Sequence, residues 1–100
     1  MATRVFVWPD PERLVSLAVR AGDQGIKLTL IPRFQGLYVA TSSDGATNYL
    51  VNETTCTCPA SRYGSLCKHV CLVIYQDIDR LVQQYGPPPW RVEDGRVIAA

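Results

Sequence analysis

Residues 56–69 read CTCPASRYGSLCKH and are the most informative segment of the 100-residue chain. They hold two cysteines one residue apart, Cys56 and Cys58, and then, after eight further residues, a second pair, Cys67 and His69. Three thiolates and one imidazole are the soft and borderline ligands that tetrahedral Zn²⁺ prefers. We therefore predict that Cys56, Cys58, Cys67 and His69 bind one zinc ion, and that this zinc is structural.

The spacing within each pair predicts how the chain bends around the metal. In an extended strand, Cys56 and Cys58 would point to the same face about 7 Å apart, given a rise of ~3.3 Å per residue. The chain must curl to bring both sulfurs to one ion, and Pro59 favours such a turn because it cannot continue a strand ladder. Residues two apart on an α-helix differ by about 200°. We therefore expect Cys67 at or just before the first helical position and His69 in the first turn.

Cys71 offers a rival ligand set. It lies four residues after Cys67 and would share its helical face, which would give a four-cysteine site without His69. However, Cys71 stands in the apolar run Val70–Val73, where a free cysteine behaves as a small buried hydrophobic residue. We therefore interpret Cys71 as part of the core and keep His69 as the fourth ligand.

The composition is that of a folded soluble protein. The chain is 47% hydrophobic and 19% charged, and its mean hydropathy is +0.01. Its longest apolar run, Val70–Tyr75, is far shorter than the ~20 residues that span a bilayer. The N terminus lacks the apolar core and cleavage site of a secretory signal. We predict a cytoplasmic protein without a membrane partner, in which thiols stay reduced and available to a metal.

The first third of the chain predicts a short strand followed by a helix. The strand is predicted at Arg4–Trp8. Asp10 can cap a helix whose first position is Pro11, where the missing amide proton costs nothing. Gly22 suits the residue just past the end of this helix because it tolerates positive φ. Four apolar residues are predicted to form the buried face of the helix: Leu14, Leu17, Ala18 and Ala21.

Later segments predict a sheet and a second long helix. Three runs have the alternation or β-rich composition of strands: Ile26–Leu30, Leu37–Thr41 and Asn48–Val51. Ser42–Thr47, centred on Asp44-Gly45, predicts the hairpin loop between the last two. From Cys67 to Tyr85, apolar residues recur at helical spacing, and we expect one amphipathic helix that packs on the sheet. Its stripe contains Cys67, Cys71, Ile74, Ile78, Leu81 and Tyr85.

The arrangement Cys-x-Cys, eight residues, Cys-x-His resembles the SWIM-type zinc finger. The predicted hairpin, with Tyr38-Val39 and Tyr49–Val51, precedes the cysteine knuckle, and Cys67–His69 opens an apolar helix. The resemblance covers about residues 37–74. SWIM fingers are described in chromatin-remodelling-type ATPases, transposase-related proteins, recombination cofactors and some ubiquitin-pathway proteins, and are thought to bind DNA or other proteins. The resemblance therefore implies a zinc-binding interaction module.

These elements predict one α+β domain over residues 1–100. It has a small sheet of three to four mostly antiparallel strands, an N-terminal helix and a helix following the zinc knuckle. Residues 1–36 are predicted to be a strand and helix extension of unknown kind, and residues 37–85 the finger with its following helix. Residues 86–100 are predicted to be a Pro-rich C-terminal tail that holds one turn at Asp94-Gly95, because Gly86 and three prolines stop the helix.

A nucleic-acid surface is one interpretation of the loop between the two ligand pairs. Between Thr54 and Gln76 there are two cations, Arg62 and Lys68, and no acid. Tyr63 can stack on a base while the neighbouring guanidinium pairs with a phosphate. Two or three phosphate contacts support only weak, salt-sensitive binding, and the net charge of +1 adds no basic field. This alternative is a weak DNA- or RNA-binding accessory protein of a helicase, recombinase or transposase system.

A protein-interaction surface is the other interpretation, and it needs apolar or aromatic groups. Trp8, Phe34, Trp90 and the stretch Pro87–Pro89 are candidates, because aromatic residues often anchor interfaces. Trp90 can equally fold back to cover the core. We expect a protein partner, a nucleic acid or both.

Catalysis is not expected. A hydrolase would need an open zinc position, or a nucleophile with a base. The four predicted ligands close the metal and use the single histidine of the chain. We therefore predict neither an enzyme nor a small-molecule substrate.

Overall fold

The computed structural model describes residues 6–59, 66–93 and 96–99 of the chain. The elements run, in chain order, α1 (Pro11–Asp23), β1 (Lys27–Leu30), β2 (Tyr38–Thr41), β3 (Asn48–Val51), α2 (Lys68–Gln76), α3 (Ile78–Tyr85), β4 (Trp90–Glu93) and β5 (Arg96–Ala99). The predicted α+β class is confirmed, with an N-terminal helix, a three-stranded antiparallel sheet and helices after the strands. Within the described ranges, no helix is long and apolar enough to cross a bilayer.

Helix α1 begins where the sequence predicts. The Asp10 carboxylate accepts a hydrogen bond from the Arg13 backbone N–H at 3.0 Å, and Pro11 occupies the first position. The predicted face is buried, with Leu17 half-buried beside Leu14, Ala18 and Ala21. The end of the helix differs, because the amide after it still bonds back into the last turn. Gly22 therefore lies inside the helix, and the left-handed conformation falls on Gly25, with φ 74°.

The three predicted strands form one antiparallel sheet in the order β1-β2-β3. Leu28 pairs with Ala40, and Ala40 pairs with Tyr49, so that these three side chains form a row against the core. The predicted hairpin loop between β2 and β3 is confirmed: Gly45 has φ 74°, and its N–H donates to the Ser42 carbonyl at 2.9 Å.

The strand predicted at Arg4–Trp8 is wrong where the structure describes it. Its first two residues lie outside the described ranges, and residues 6–8 form no strand. This segment instead packs against the rest of the fold through its aromatic rings. Phe6 stacks on Tyr85 at a centroid distance of 4.9 Å, and Trp8 contacts Trp90 edge-to-face at 5.9 Å. Aromatic burial stabilises the segment without a hydrogen-bonded ladder.

The single helix predicted over Cys67–Tyr85 is two helices that meet at Asp77. There φ is −100° and ψ is 21°, which bends the chain, although Asp77 N–H still donates to Val73 and Leu81 N–H to Asp77. Aspartate favours helix ends over helix interiors because its side chain competes for hydrogen bonds. Here the carboxylate accepts a hydrogen bond from the Tyr38 hydroxyl at 2.7 Å, a contact that local spacing could not predict.

The predicted apolar stripe supplies the core, but its principal partner is α1. Cys67, Cys71, Ile74 and Leu81 are buried, and Ile78 and Tyr85 are half-buried. Val70 and Val73 are buried as well, which gives α2 a second apolar face, and α2 packs most extensively against α1. Contact with the sheet, which the sequence predicted, is smaller and falls on β3.

The end of the chain carries structure that the sequence did not predict. Gly86 ends α3 with φ 86°, as expected. After the prolines, β4 and β5 form an antiparallel hairpin, where only a tail with a turn was predicted. The turn itself, at residues 94–95, lies outside the described residues. Trp90, at the start of β4, is only 9% exposed and packs beside Trp8, so it covers the core.

Candidate metal centre

The four predicted ligands meet between the hairpin that follows β3 and the start of α2. The ligand atoms of Cys56, Cys58, Cys67 and His69 all lie within 4.8 Å of one another. Sulfurs bound to one tetrahedral zinc at about 2.3 Å would lie ~3.8 Å apart. Small movements of the side chains therefore bring these four atoms to the distances that one zinc ion requires.

A tight turn after β3 positions the first pair. The Asn52 side-chain carbonyl accepts hydrogen bonds from the backbone N–H groups of Thr54 and Thr55 at 2.8 and 2.7 Å. The chain then returns along β3, where Cys56 forms an isolated bridge with Val51. The turn thus places Cys56 opposite Val51 at the end of β3, and Cys58 follows two residues later, after the strand pairing has ended.

Helix α2 begins at the second pair, as the spacing predicted. Cys67 is the N-cap, with extended backbone at φ −97° and ψ 158°, and its Sγ accepts a hydrogen bond from the Val70 N–H at 3.4 Å. His69 follows in the first turn and is 8% exposed. The partial positive charge of the helix N terminus favours a thiolate at this position.

One ring nitrogen of His69, Nδ1, is buried without a hydrogen-bond partner among the described residues. An unpaired buried polar atom costs about 1–3 kcal/mol, a cost that a metal–nitrogen bond would remove. The Tyr49 ring packs beside the imidazole at a centroid distance of 5.2 Å and limits its movement. The donor set therefore fits zinc.

Burial sets the protonation states of these groups. It raises the pKa of the Cys56 thiol to about 12 and also raises the pKa of Cys67, so that both hold their protons when no cation is near. Desolvation, with a smaller effect from Lys68, lowers the pKa of His69 and favours the neutral imidazole that binds metals. A bound zinc ion would supply the positive charge that stabilises the buried thiolates in their deprotonated form.

Cys71 lies in the core, as predicted. It is 0% exposed, and burial raises its pKa to about 12. Among the described residues, the group close enough to share an ion contains His69 and not Cys71. The rival four-cysteine set is therefore not the one that the structure brings together.

The residues predicted for partner binding fall in different surroundings. Arg62 and Tyr63 lie outside the described residues. Lys68 is half-buried, and its ammonium donates a hydrogen bond to the Gln24 side chain, which joins α2 to the end of α1. Of the three aromatic candidates, Trp90 is buried and Trp8 half-buried, whereas Phe34 is 59% exposed.

Sequence reasoning missed a polar cluster where β1 joins β2. The Tyr38 hydroxyl donates to Asp77 at 2.7 Å, and the Arg80 guanidinium lies 3.2 Å from Asp77 and 3.7 Å from Glu53. The Tyr85 hydroxyl also donates to Glu53, at 3.3 Å. We call these five residues the Arg80 cluster. They come from three distant segments, so no local spacing reveals them.

This fold and site define a small α+β protein with a Cys₃His donor set that fits zinc. Comparison with known protein families matches residues 40–77 to the SWIM zinc finger. These residues are therefore similar to the SWIM zinc finger, and the resemblance predicted for residues 37–74 is confirmed. Searches of curated proteins and of solved structures found no significant match to the chain.

Proposed function

We propose that this chain is an interaction module rather than an enzyme, that it holds one structural zinc ion, and that its partner is a protein. Four protein ligands complete a tetrahedral zinc shell and leave no position for a substrate. Cys58, Cys67 and His69 are 3%, 4% and 8% exposed, so three of the four donor side chains are buried. Buried donors that join the knuckle to the start of α2 support a role in folding.

The small net charge and the pairing of cations within the fold favour a protein partner over a nucleic acid. The net charge is only +1, and two of the described cations already have partners within the fold. Arg80 pairs with Asp77 and Glu53, and Lys68 donates to Gln24. Nucleic-acid binding draws most of its affinity from cations that neutralise several phosphates. A nearly neutral surface with an exposed aromatic ring is better suited to a protein.

A cytoplasmic location is part of this proposal. The four cysteines are free thiols, and the zinc site needs at least three of them reduced. Reducing compartments keep thiols in that state.

Capture of the partner and reconstitution of the complex test the proposal. Tagged, zinc-loaded full-length chain is used as bait in its source cells, and each captured protein is then purified and mixed with it in an analytical ultracentrifuge. We expect a defined complex whose affinity changes little between low and moderate salt, since few exposed ion pairs would be screened.

Titration with labelled single- and double-stranded DNA at low salt is the counter-test. DNA binding that disappears in an Arg62→Ala/Lys68→Ala double variant, with no reconstituted protein complex, would replace the proposal with the nucleic-acid alternative.

A further inference from the structure

The loop between β1 and β2, residues 31–37, carries a charged and an aromatic side chain into solvent. It consists of two successive tight turns: Phe34 N–H donates to Ile31 at 3.2 Å, and Leu37 N–H donates to Phe34 at 3.3 Å. Arg33, Phe34 and Gln35 are exposed between them, and we call these three residues the loop tip. The loop tip precedes the part of the chain that matches the SWIM finger.

Arg33 holds a backbone conformation that suits glycine. Its φ is 74°, and among the described non-glycine residues it is the one with φ in this region. It occupies the third position of the turn from Ile31 to Phe34, where left-handed backbone favours glycine or asparagine. Strained positions of this kind cluster at ligand-binding sites. Arginine at this position accepts a backbone strain that glycine would avoid.

The Arg80 cluster holds the base of the loop in place. A Cβ added to Gly36 would lie 2.6 Å from Nη2 of Arg80, so the guanidinium rests directly on this glycine. The Ile31 N–H donates to the Leu37 carbonyl at 3.0 Å and closes the loop. A loop fixed in this way loses little conformational entropy when a ligand binds. The loop tip is therefore preorganised.

A cleft of about 370 Å³ lies between the loop tip, the turn after β3 and helix α3. The side-chain carbonyls of two lining amides are already engaged: that of Asn52 accepts from the turn, and that of Gln84 accepts from Arg80 at 3.0 Å. Within the described ranges, neither NH₂ group donates a hydrogen bond. Arg33, which also lines the cleft, has no ion pair or hydrogen bond within the described residues. The cleft is therefore rich in donors and suits an acceptor.

Charge distinguishes a peptide carboxylate from a nucleic acid. Arg80 is paired with Asp77 and Glu53, so Arg33 is the unpaired cation among the described residues that line the cleft. A nucleic-acid strand brings a phosphate with every nucleotide, and one unpaired guanidinium can neutralise only one of them. A single carboxylate needs a single guanidinium, which can bind it through two parallel hydrogen bonds.

We propose that the loop tip and the cleft bind a peptide segment that carries one carboxylate next to an apolar side chain. The carboxylate accepts hydrogen bonds from Arg33 and the amides of the cleft, and the apolar side chain packs against Phe34. This inference rests on the proposed function, because it assigns the segment to the protein partner.

The binding experiment uses zinc-loaded, ¹⁵N-labelled full-length chain. The probe is a synthetic hexapeptide with one glutamate followed by one phenylalanine, flanked by glycine and serine. We expect saturable shifts at the backbone amides of Phe34 and Gly36 and at the Gln84 side-chain amide. The peptide with glutamine in place of glutamate should bind at least about tenfold more weakly, because charge-assisted hydrogen bonds are the stronger ones.

Arg33→Gly and Arg33→Asn test the guanidinium without harming the fold, because both residues tolerate φ 74°. We expect each variant to lose at least about tenfold in peptide affinity while keeping the wild-type melting temperature or exceeding it. Arg20→Gln removes an exposed cation from α1 and is the matched control, which should bind as wild type does.

Three results would overturn the inference. They are the absence of a saturable shift, wild-type peptide affinity in both Arg33 variants, and shifts of the same amides by an oligothymidylate but not by the peptide. If Arg33→Gly still bound the reconstituted protein partner at full affinity, the cleft would be ruled out while the proposed function stood. If no protein partner were found, both would fall.

Discussion

Cys67 serves two purposes at a single position, because it caps helix α2 and offers its sulfur to the metal. Its Sγ accepts the Val70 N–H at 3.4 Å, and the helix then carries His69 to the same point. Cys71, one turn further on, is 0% exposed among apolar neighbours. At the scale of the residue, one turn of helix separates a metal ligand from a core side chain.

His69→Ala and Cys71→Ala should therefore differ in zinc content. We expect His69→Ala to lose most of its zinc, because one of four ligands is missing, and Cys71→Ala to keep one zinc per chain at a cost of about 1 kcal/mol in stability. Native mass spectrometry measures the zinc, and thermal unfolding measures the cost. Full zinc occupancy in His69→Ala, or its loss in folded Cys71→Ala, would favour the four-cysteine site.

Gly36 and Gly22 should respond in opposite ways to the same substitution. Gly36→Ala places a methyl group 2.6 Å from Arg80 Nη2 at φ 78°, and we expect it to lower the free energy of unfolding by about 1–2 kcal/mol or more. Gly22 lies within α1 with no atom in range of an added Cβ, so Gly22→Ala should raise it by up to about 1 kcal/mol.

Urea unfolding of the zinc-loaded chains compares these two glycine variants with wild type. Equal stability of Gly36→Ala and wild type would mean that the Arg80 guanidinium does not rest on the loop in solution.

At the scale of the elements, the bend at Asp77 connects the helices to the sheet. The Asp77 carboxylate accepts one hydrogen bond from the Tyr38 hydroxyl in β2 and another from the Arg80 guanidinium in α3. The same guanidinium also contacts the base of the β1–β2 loop at Gly36. The predicted stripe of apolar residues continues on both sides of the bend. A polar contact between distant segments, and not a break in the apolar pattern, marks where one helix becomes two.

A double-mutant cycle tests this connection. We expect Tyr38→Phe to cost about 1 kcal/mol, and Asp77→Ala about 1–3 kcal/mol because it leaves a buried hydroxyl without its acceptor. The double variant should show a coupling of at least ~0.5 kcal/mol. Asp79→Ala removes a neighbouring exposed carboxylate and should stay within ±0.5 kcal/mol of wild type. Strict additivity of Tyr38→Phe and Asp77→Ala would contradict the hydrogen bond.

At the scale of the whole molecule, the metal position joins elements that share a small core. The buried residues of the sheet, α1, α2 and α3 form one hydrophobic cluster, which includes the ligands Cys58 and Cys67. A chain of 100 residues buries only about two-thirds of the surface that it exposes when unfolded. In so small a chain, we expect a metal that joins the knuckle to the start of α2 to contribute a large share of the stability.

Removal of zinc should therefore unfold the finger and loosen α1. A structural zinc contributes an apparent ~10–16 kcal/mol, whereas a whole domain is stable by only ~5–15 kcal/mol. We expect a strong chelator to abolish the cooperative thermal transition seen by circular dichroism, and zinc to restore it. The same chelator saturated with zinc beforehand is the control. A chelated chain that kept the wild-type transition would show that the metal does not hold the fold.

Features that depend on neighbours along the chain were predictable from the sequence. The clustering of the four Cys and His side chains, the Asp10 cap of α1, the Gly45 hairpin loop and the end of α3 at Gly86 each follow from residue types a few positions apart. Geometry over so short a distance is limited by bond lengths, allowed dihedral angles and the period of the helix. The two-residue spacing of the ligand pairs therefore sufficed to predict how α2 begins.

Features that depend on residues distant in the chain came only from the folded structure. Tyr38 and Asp77 are 39 positions apart, and Glu53 and Tyr85 are 32 apart, yet their hydrogen bonds accompany the bend and help to hold the loop that carries Arg33. The hairpin at Trp90 likewise folds back onto Trp8. An apolar stripe shows that a face is buried but not which element buries it, because burial of apolar area is non-directional. Tertiary packing makes α1 the main partner of α2. The same packing places Arg33 and Phe34 beside a cleft that no sequence motif predicts.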